Sequence, residues 1–205
     1  MACVRYEIHP TQPQERLLQK AVRILQEGGL LIYPTDTVYG LGCDLLLKKG
    51  VERIYQIKGN NKRKLLSFIC PDLKEISRFA HVSTPAYKVM KHLLPGPYTF
   101  ILEATRQVPK LLLEKRKTVG IRVPDHPACM RLLELLGHPI ISTSATIKEE
   151  PYLNEPDEIV EIFYHLVDLF LDAGEGGLTP SSIIDLSEEP FKVLRAGKGD
   201  ISMFA

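Results

Sequence analysis

Short apolar runs alternate with amphipathic stretches along almost the whole chain, and this alternation limits the fold more than any other feature. Leu17, Leu18, Ala21, Val22 and Leu25 fall on one helical face after Pro13, and Gly28-Gly29 stops the pattern. The apolar run Leu30-Leu31-Ile32-Tyr33 follows at once and predicts a strand. Residues 50–58 carry a second helical pattern through Val51, Ile54 and Tyr55, and residues 65–70 read as a buried strand. A helix over 84–94 ends at Pro95-Gly96-Pro97, and the strand formers of 98–102 come next. The order continues as strand 118–123, helix 127–136 closed by Gly137, strand 139–143 and helix 156–165. Three more strands are expected at 166–172, 182–186 and 191–195. Such alternation predicts an α/β sheet covered by helices. The last two strands have no helix between them, which predicts a mixed sheet.

Composition narrows the class without naming a function. The 205 residues are 44% hydrophobic and 25% charged, as in ordinary soluble domains. No internal repeat or low-complexity linker divides them, so one domain over 1–205 is expected, without disulfide or metal support. A net charge of +1 excludes a strongly basic nucleic-acid binder; any such role must come from local clustering. Cys3, Cys43, Cys70 and Cys129 are scattered with no C-x-x-C pair, which fits buried thiols in a reducing cytosol. The opening MACVRYEIHP has no signal-peptide core, and no apolar run reaches membrane-spanning length. A cytoplasmic protein with no membrane partner is the expectation.

Several strand ends stop in hydroxyls or in arginine. Ile32 leads into Thr35-Asp36-Thr37, Ile140-Ile141 into Ser142-Thr143-Ser144, and Thr179-Pro180-Ser181-Ser182 precedes Ile183-Ile184-Asp185. Val119-Gly120-Ile121 reaches Arg122, and Val193-Leu194 reaches Arg195. Taken singly, each cluster suits a helix cap or a surface arginine. Together they suit an anion pocket, because open α/β sheets bind ligands beyond the strand carboxyl ends. Guanidinium forks and hydroxyls match carboxylate and phosphate oxygens.

Two basic segments stand beside these. The run 58–64, Lys-Gly-Asn-Asn-Lys-Arg-Lys, joins a helix to a strand, and Lys115-Arg116-Lys117 precedes Thr118. Each alone is a solvated loop; on one face they form a positive patch. Asp125-His126-Pro127 reads as a helix start. Gly174-Glu175-Gly176-Gly177 is not a phosphate-binding P-loop, and neither a zinc-deaminase signature nor a G-x-S-x-G elbow occurs. Without a nucleophile–base pair, such a pocket would work by positioning and charge stabilisation.

The motifs YPTDTVYGLGCD, PGPYTFIL, VGIRVPDHP, IISTSA, SSIIDL and VLRAG together resemble the YrdC/YciO family, in the family's order over about residues 17–197. The length and the STSA motif look nearest to the YciO branch, and the chain resembles its single-domain form. The resemblance implies a twisted mixed sheet flanked by helices, with a concave, positively charged cavity. It implies synthesis of L-threonylcarbamoyladenylate from L-threonine, bicarbonate (or CO2) and ATP carried with Mg2+, releasing pyrophosphate. That intermediate feeds threonylcarbamoyladenosine modification of tRNA; double-stranded RNA or tRNA is also an implied partner.

Residue by residue, the resemblance puts Thr35, Arg122, Ser142 and Ser181 on threonine. It puts Lys58, Lys64, Thr118, Ser144 and Arg195 on the nucleotide, with Lys58, Lys64 and Arg195 in the catalytic role. No metal ligands are implied. The family's K-x-R reads Lys58-Gly59-Asn60, and its S-A-N reads Ser144-Ala145-Thr146. Removing one charge-stabilising donor typically costs ~3 kcal/mol. A slow synthase, a ligase for another amino acid and a nucleotide- or RNA-binding protein without efficient synthesis therefore stand as alternatives. The motif YPTDTVYGLG is read as a pocket wall, with Tyr39 packed beside the ligand and Gly40 and Gly42 letting the backbone turn past it.

Overall fold

The apolar runs pair into one eleven-stranded sheet in a computed structural model that describes residues 2–59, 66–113, 117–147 and 151–204. In chain order the elements are β1 (Val4–Glu7), α1 (Glu15–Gln26), β2 (Leu30–Tyr33), β3 (Gly40–Asp44), α2 (Lys48–Ile57), β4 (Ser67–Ile69), α3 (Leu73–Phe79), β5 (Ala80–His81), α4 (Thr84–Leu93), β6 (Tyr98–Ala104), β7 (Thr118–Arg122), α5 (Pro127–Leu136), β8 (Ile140–Ser144), α6 (Pro156–Phe163), β9 (Leu169–Asp172), β10 (Ser182–Asp185) and β11 (Lys192–Arg195). The spatial order is β1-β9-β2-β3-β8-β4-β7-β6-β10-β11, with β5 paired to β6. Parallel pairs (β1 with β9, β2 with β9, β4 with β7, β6 with β10) are mixed with antiparallel ones. The mixed sheet expected from the sequence is present.

Local chemistry sets the helix ends. Asp72 caps α3 by accepting from the Glu75 amide at 2.8 Å, and Ser83 caps α4 ahead of a first-turn proline. Gly137, at φ +81°, closes α5 in the left-handed conformation.

Strand alternation then sorts the side chains between two faces. Ile32, Leu41, Phe68, Phe100, Ile121, Ile141, Phe170 and Ile184 point to one face, where they pack with α2, α3, α4 and α6. Leu31, Tyr33, Ile69, Ile140, Leu169 and Leu171 point to the other, where they pack with α1 and α5. No buried residue of β6, β7 or β10 belongs to that second cluster. Helices therefore cover one face along most of the sheet and the other face only toward β9, β2 and β8. The uncovered part of the second face positions the site.

Some described elements depart from the sequence expectation. β1, α3 and β5 were not anticipated, and β3 is a fully buried strand where Gly40 and Gly42 were expected to turn the backbone past a ligand. Asn60, Arg63, Lys64, Lys115 and Arg116 lie outside the described residues.

Candidate functional site

Register builds the floor. Ser142 pairs with Gly42 and with Ser67, and Ser67 pairs with Gly120. Across β3, β8, β4 and β7 this row holds no side chain larger than serine. Above it opens a cavity of about 690 Å3, counted with its mouth. Its charged lining residues are Arg122 and Arg195; the rest are hydroxyl-bearing, aliphatic or aromatic, or lack a side chain.

Six of the residues named from the sequence converge on this cavity: Thr35, Arg122, Ser142, Ser144, Ser181 and Arg195. Arg122 ends β7 and is 7% exposed, its Nη2 donating to Asp36 Oδ1 at 2.5 Å. Arg195 ends β11 and donates from Nε (3.0 Å) and Nη2 (2.7 Å) to the Ser181 carbonyl. Among the described residues Arg195 has no carboxylate partner. Burial holds its guanidinium below its ordinary pKa; Tyr152 opposes the shift and the neighbouring Arg122 cation adds to it. Ser181 Oγ is paired with Thr99 Oγ1 at 2.8 Å, and Ser142 Oγ with the Tyr33 hydroxyl at 2.5 Å. Thr35 donates to the Val38 carbonyl at 2.7 Å and accepts from the Thr37 amide at 3.1 Å, which shapes the loop between β2 and β3.

Lys58 and Thr118 are not among the lining residues. Lys58, 3% exposed, directs Nζ to the carbonyls of Ser144 (2.7 Å) and Thr146 (2.5 Å) and to Thr146 Oγ1 (2.8 Å). The threonine that stands in the S-A-N position thus supplies oxygens to the lysine of the K-x-R position. Thr118 begins β7 at the end away from Arg122, opposite Glu103.

Gly40 and Gly42 lie within β3, and Gly40 lines the cavity. A Cβ on Gly40 would lie 2.6 Å from Tyr33 Cζ, and one on Gly42 would lie 2.9 Å from Tyr33 Cε1. The glycines admit a tyrosine ring, and that ring carries its hydroxyl to Ser142. Tyr39 lines the cavity, with its ring edge-on to Phe170 and its hydroxyl donated to the Gly174 carbonyl at 2.6 Å. Burial pushes that hydroxyl up to about 12.

Sequence reasoning gave no role to Asp36, Ser67, Thr99 or Lys198. Asp36 sits inside the quoted motif between two threonines, a signal that could have singled it out. Its side chain orients Arg122, while its carbonyl accepts from Lys198 Nζ at 2.5 Å. Lys198 is itself fixed by its amide to the Pro180 carbonyl at 2.8 Å, so it joins the Pro180 wall to the Asp36 loop. Among the described residues, the buried side-chain atoms without a hydrogen bond are Asp36 Oδ2, Arg122 Nε and His126 Nδ1. Such atoms are rare in folded proteins, and Asp36 Oδ2 and Arg122 Nε both belong to the buried ion pair beside the cavity.

A family model for Sua5, YciO and YrdC, described as telomere recombination, matches residues 23–197. The chain belongs to this family. It is 42% identical to an uncharacterized protein of Haemophilus influenzae, covering 97% of this chain and 98% of that one. The crystal structure of Escherichia coli YciO superposes with a TM-score of 0.95 at 40% identity, covering 99% of this chain and 100% of that one. It bears out the α/β domain with a mixed, helix-flanked sheet. Pyrococcus abyssi Sua5, solved in complex with L-threonine, matches with a TM-score of 0.89 at 30% identity, over 95% of this chain and 57% of that one. A threonylcarbamoyl-AMP synthase of P. abyssi is 32% identical over 90% of this chain and 56% of its own length. Relatives of similar full length are thus uncharacterized YciO proteins, and the synthases are more distant.

Proposed function

We propose that the chain makes threonylcarbamoyl-AMP from L-threonine, bicarbonate and ATP, releasing pyrophosphate, in support of tRNA modification. The observation that carries this is a hydroxyl-lined cavity whose charged walls, among the described residues, are two arginines, one of them without a carboxylate partner there. Guanidinium forks beside hydroxyls suit the oxygens of carboxylate and phosphate. Arg122 would hold the amino-acid carboxylate, oriented by Asp36, and Arg195 the phosphates. A carbamate oxygen attacks the α-phosphorus while the bond to the bridging oxygen breaks and pyrophosphate leaves. Fixed cations stabilise the charge that develops on it. Mg2+ would enter as the counter-ion of ATP.

The test is pyrophosphate release from ATP, with threonine and bicarbonate omitted in turn. Release that needs both is expected; none at high enzyme concentration sinks the reading. Lys58 favours a second reading, because its ammonium is held by Ser144 and Thr146 oxygens. There the chain binds ATP or RNA without efficient synthesis, and RNA binding falls steeply with salt.

A further inference from the structure

We propose that a groove at the opposite ends of β3 and β8 from the cavity is a second binding site, for an amphipathic acid: a hydrocarbon chain ending in one carboxylate. The groove shares no lining residue with the cavity. Gly40 opens β3 in the cavity, whereas Leu45 follows β3 in the groove. Ser144 closes β8 in the cavity, whereas His138 precedes β8 in the groove. What the groove holds is therefore independent of the reaction proposed above.

The lining sets the two halves of the ligand. The space is about 1410 Å3, counted with its mouth, and its apolar walls include Leu45, Val51, Phe79, Leu111 and Leu112. Leu46, also in the lining, is 72% exposed, a large apolar side chain that a hydrocarbon would cover. The ionisable lining residues are Lys48, Arg78, Lys110 and His138, with no Asp or Glu among them. A second apolar groove, against α3 and α4, has both Asp72 and Lys74 in its lining and favours neither sign. Three of the four basic groups already face acids: Lys48 Nζ lies 3.1 Å from Glu52, Arg78 Nη1 2.9 Å from Glu75, and His138 Nε2 3.6 Å from Asp44. Lys110 begins the short 3-10 turn Lys110–Leu112 and is exposed, and its ammonium has no hydrogen bond or ion pair to a described residue. One unengaged ammonium beside aliphatic walls suits one carboxylate on an apolar chain. The shared sign also speaks against a second copy of the chain, because a two-fold contact here would set Lys48, Arg78 and Lys110 against their own kind.

Calorimetric titration of octanoate, decanoate and dodecanoate onto the full chain, each below its micellar concentration, tests this. Saturation at one acid per chain is expected, with affinity rising about fourfold per added methylene. Decanol, with the same body and no charge, should bind about tenfold more weakly than decanoate. Lys110→Met should bring decanoate down to the level of the alcohol and leave the alcohol unchanged. Leu46→Ser should weaken acid and alcohol alike. Both side chains are exposed, so the variants should melt with the parent by circular dichroism. Decanoate affinity unchanged in Lys110→Met, or binding that never saturates at one per chain, overturns the proposal. Loss of decanoate in Arg195→Ala but not in Lys110→Met would put the acid in the cavity, and overturns it equally. So does pelleting with phosphatidylglycerol vesicles in the absence of saturable binding of the free acids, which would give the groove to a membrane surface. A concentration-dependent dimer that Leu46→Ser breaks would give it to a second copy and overturns the proposal as well.

Discussion

The motif after β2 works through pairs of residues rather than through any single one. Tyr33 reaches Ser142 because Gly40 and Gly42 leave room for its ring. Gly40→Ala should therefore act as overpacking and cost about 1–3 kcal/mol, with Ser142 displaced. Tyr33→Phe should cost only about 1 kcal/mol, since the ring still packs and one net hydrogen bond is lost. Urea denaturation measures both, and a Gly40→Ala variant as stable as the parent would refute the packing account. Lys58 makes an analogous case. If its main duty is to tie the end of β8, Lys58→Met should destabilise the protein by about 1–3 kcal/mol, because buried oxygens lose their donor. A Lys58→Met variant of parental stability but with weakened ATP binding would return the lysine to the nucleotide side.

At the level of elements, the sequence was most informative where periodicity and caps agree. Helices α1, α4 and α5 carry clear apolar faces and proline or glycine punctuation, and they fall within two residues of expectation. β1 could not be read, because its four residues are mostly exposed and its place is set by parallel pairing with β9, far along the chain. α3 was legible in principle: Asp72 followed by Glu75 is a capping signal, though the helix is only seven residues long. β3 was misread because glycine in a strand looks like a turn unless the ring that fills its space is known. Six named residues met in the cavity because strand ends share an edge. Asp36 stood in view between two threonines, but its pairing with Arg122, 86 residues away, exists only after folding.

The start of α5 adds a pH dependence to that element. Burial lowers the pKa of His126, and the carboxylates of Asp36 and Asp125 only partly oppose it. The unfolded chain then binds more protons at this site than the folded one once the pH falls below about 6.5. The stability that a neutral His126 contributes is present above that pH and is lost as the pH falls through the lower folded value. The melting temperature should decline over this range, and His126→Gln should make the decline shallower. An identical slope in the variant would show that His126 takes no part.

For the whole molecule, the cavity draws on both halves of the sheet. Its walls come from β2, β3 and β8 on one side, and from β6, β7, β10 and β11 on the other. The second side is the less buttressed one, since α1 and α5 do not extend over it. A segment after β11 bridges the two: the Gly197 amide donates to Ser182 Oγ at 3.0 Å, Ser182 Oγ donates to the Gly199 carbonyl at 2.7 Å, and Lys198 reaches the Asp36 carbonyl. A ligand that engages Arg122 and Arg195 together would join the same two walls from inside. Its binding should therefore stabilise global folding and quiet the less covered side most. At a hundredfold excess over the dissociation constant, ligand linkage is worth about 2.7 kcal/mol. For a chain of this size that is a rise of about 5–10 °C in melting temperature. Hydrogen exchange should slow chiefly in β10, β11 and the segment around Lys198, with β9 and β2 little changed. Arg195→Ala should abolish most of that protection for ATP while sparing threonine's smaller effect. Protection confined to β9 and β2, or an unaltered ATP shift in Arg195→Ala, would place the nucleotide somewhere other than this cavity.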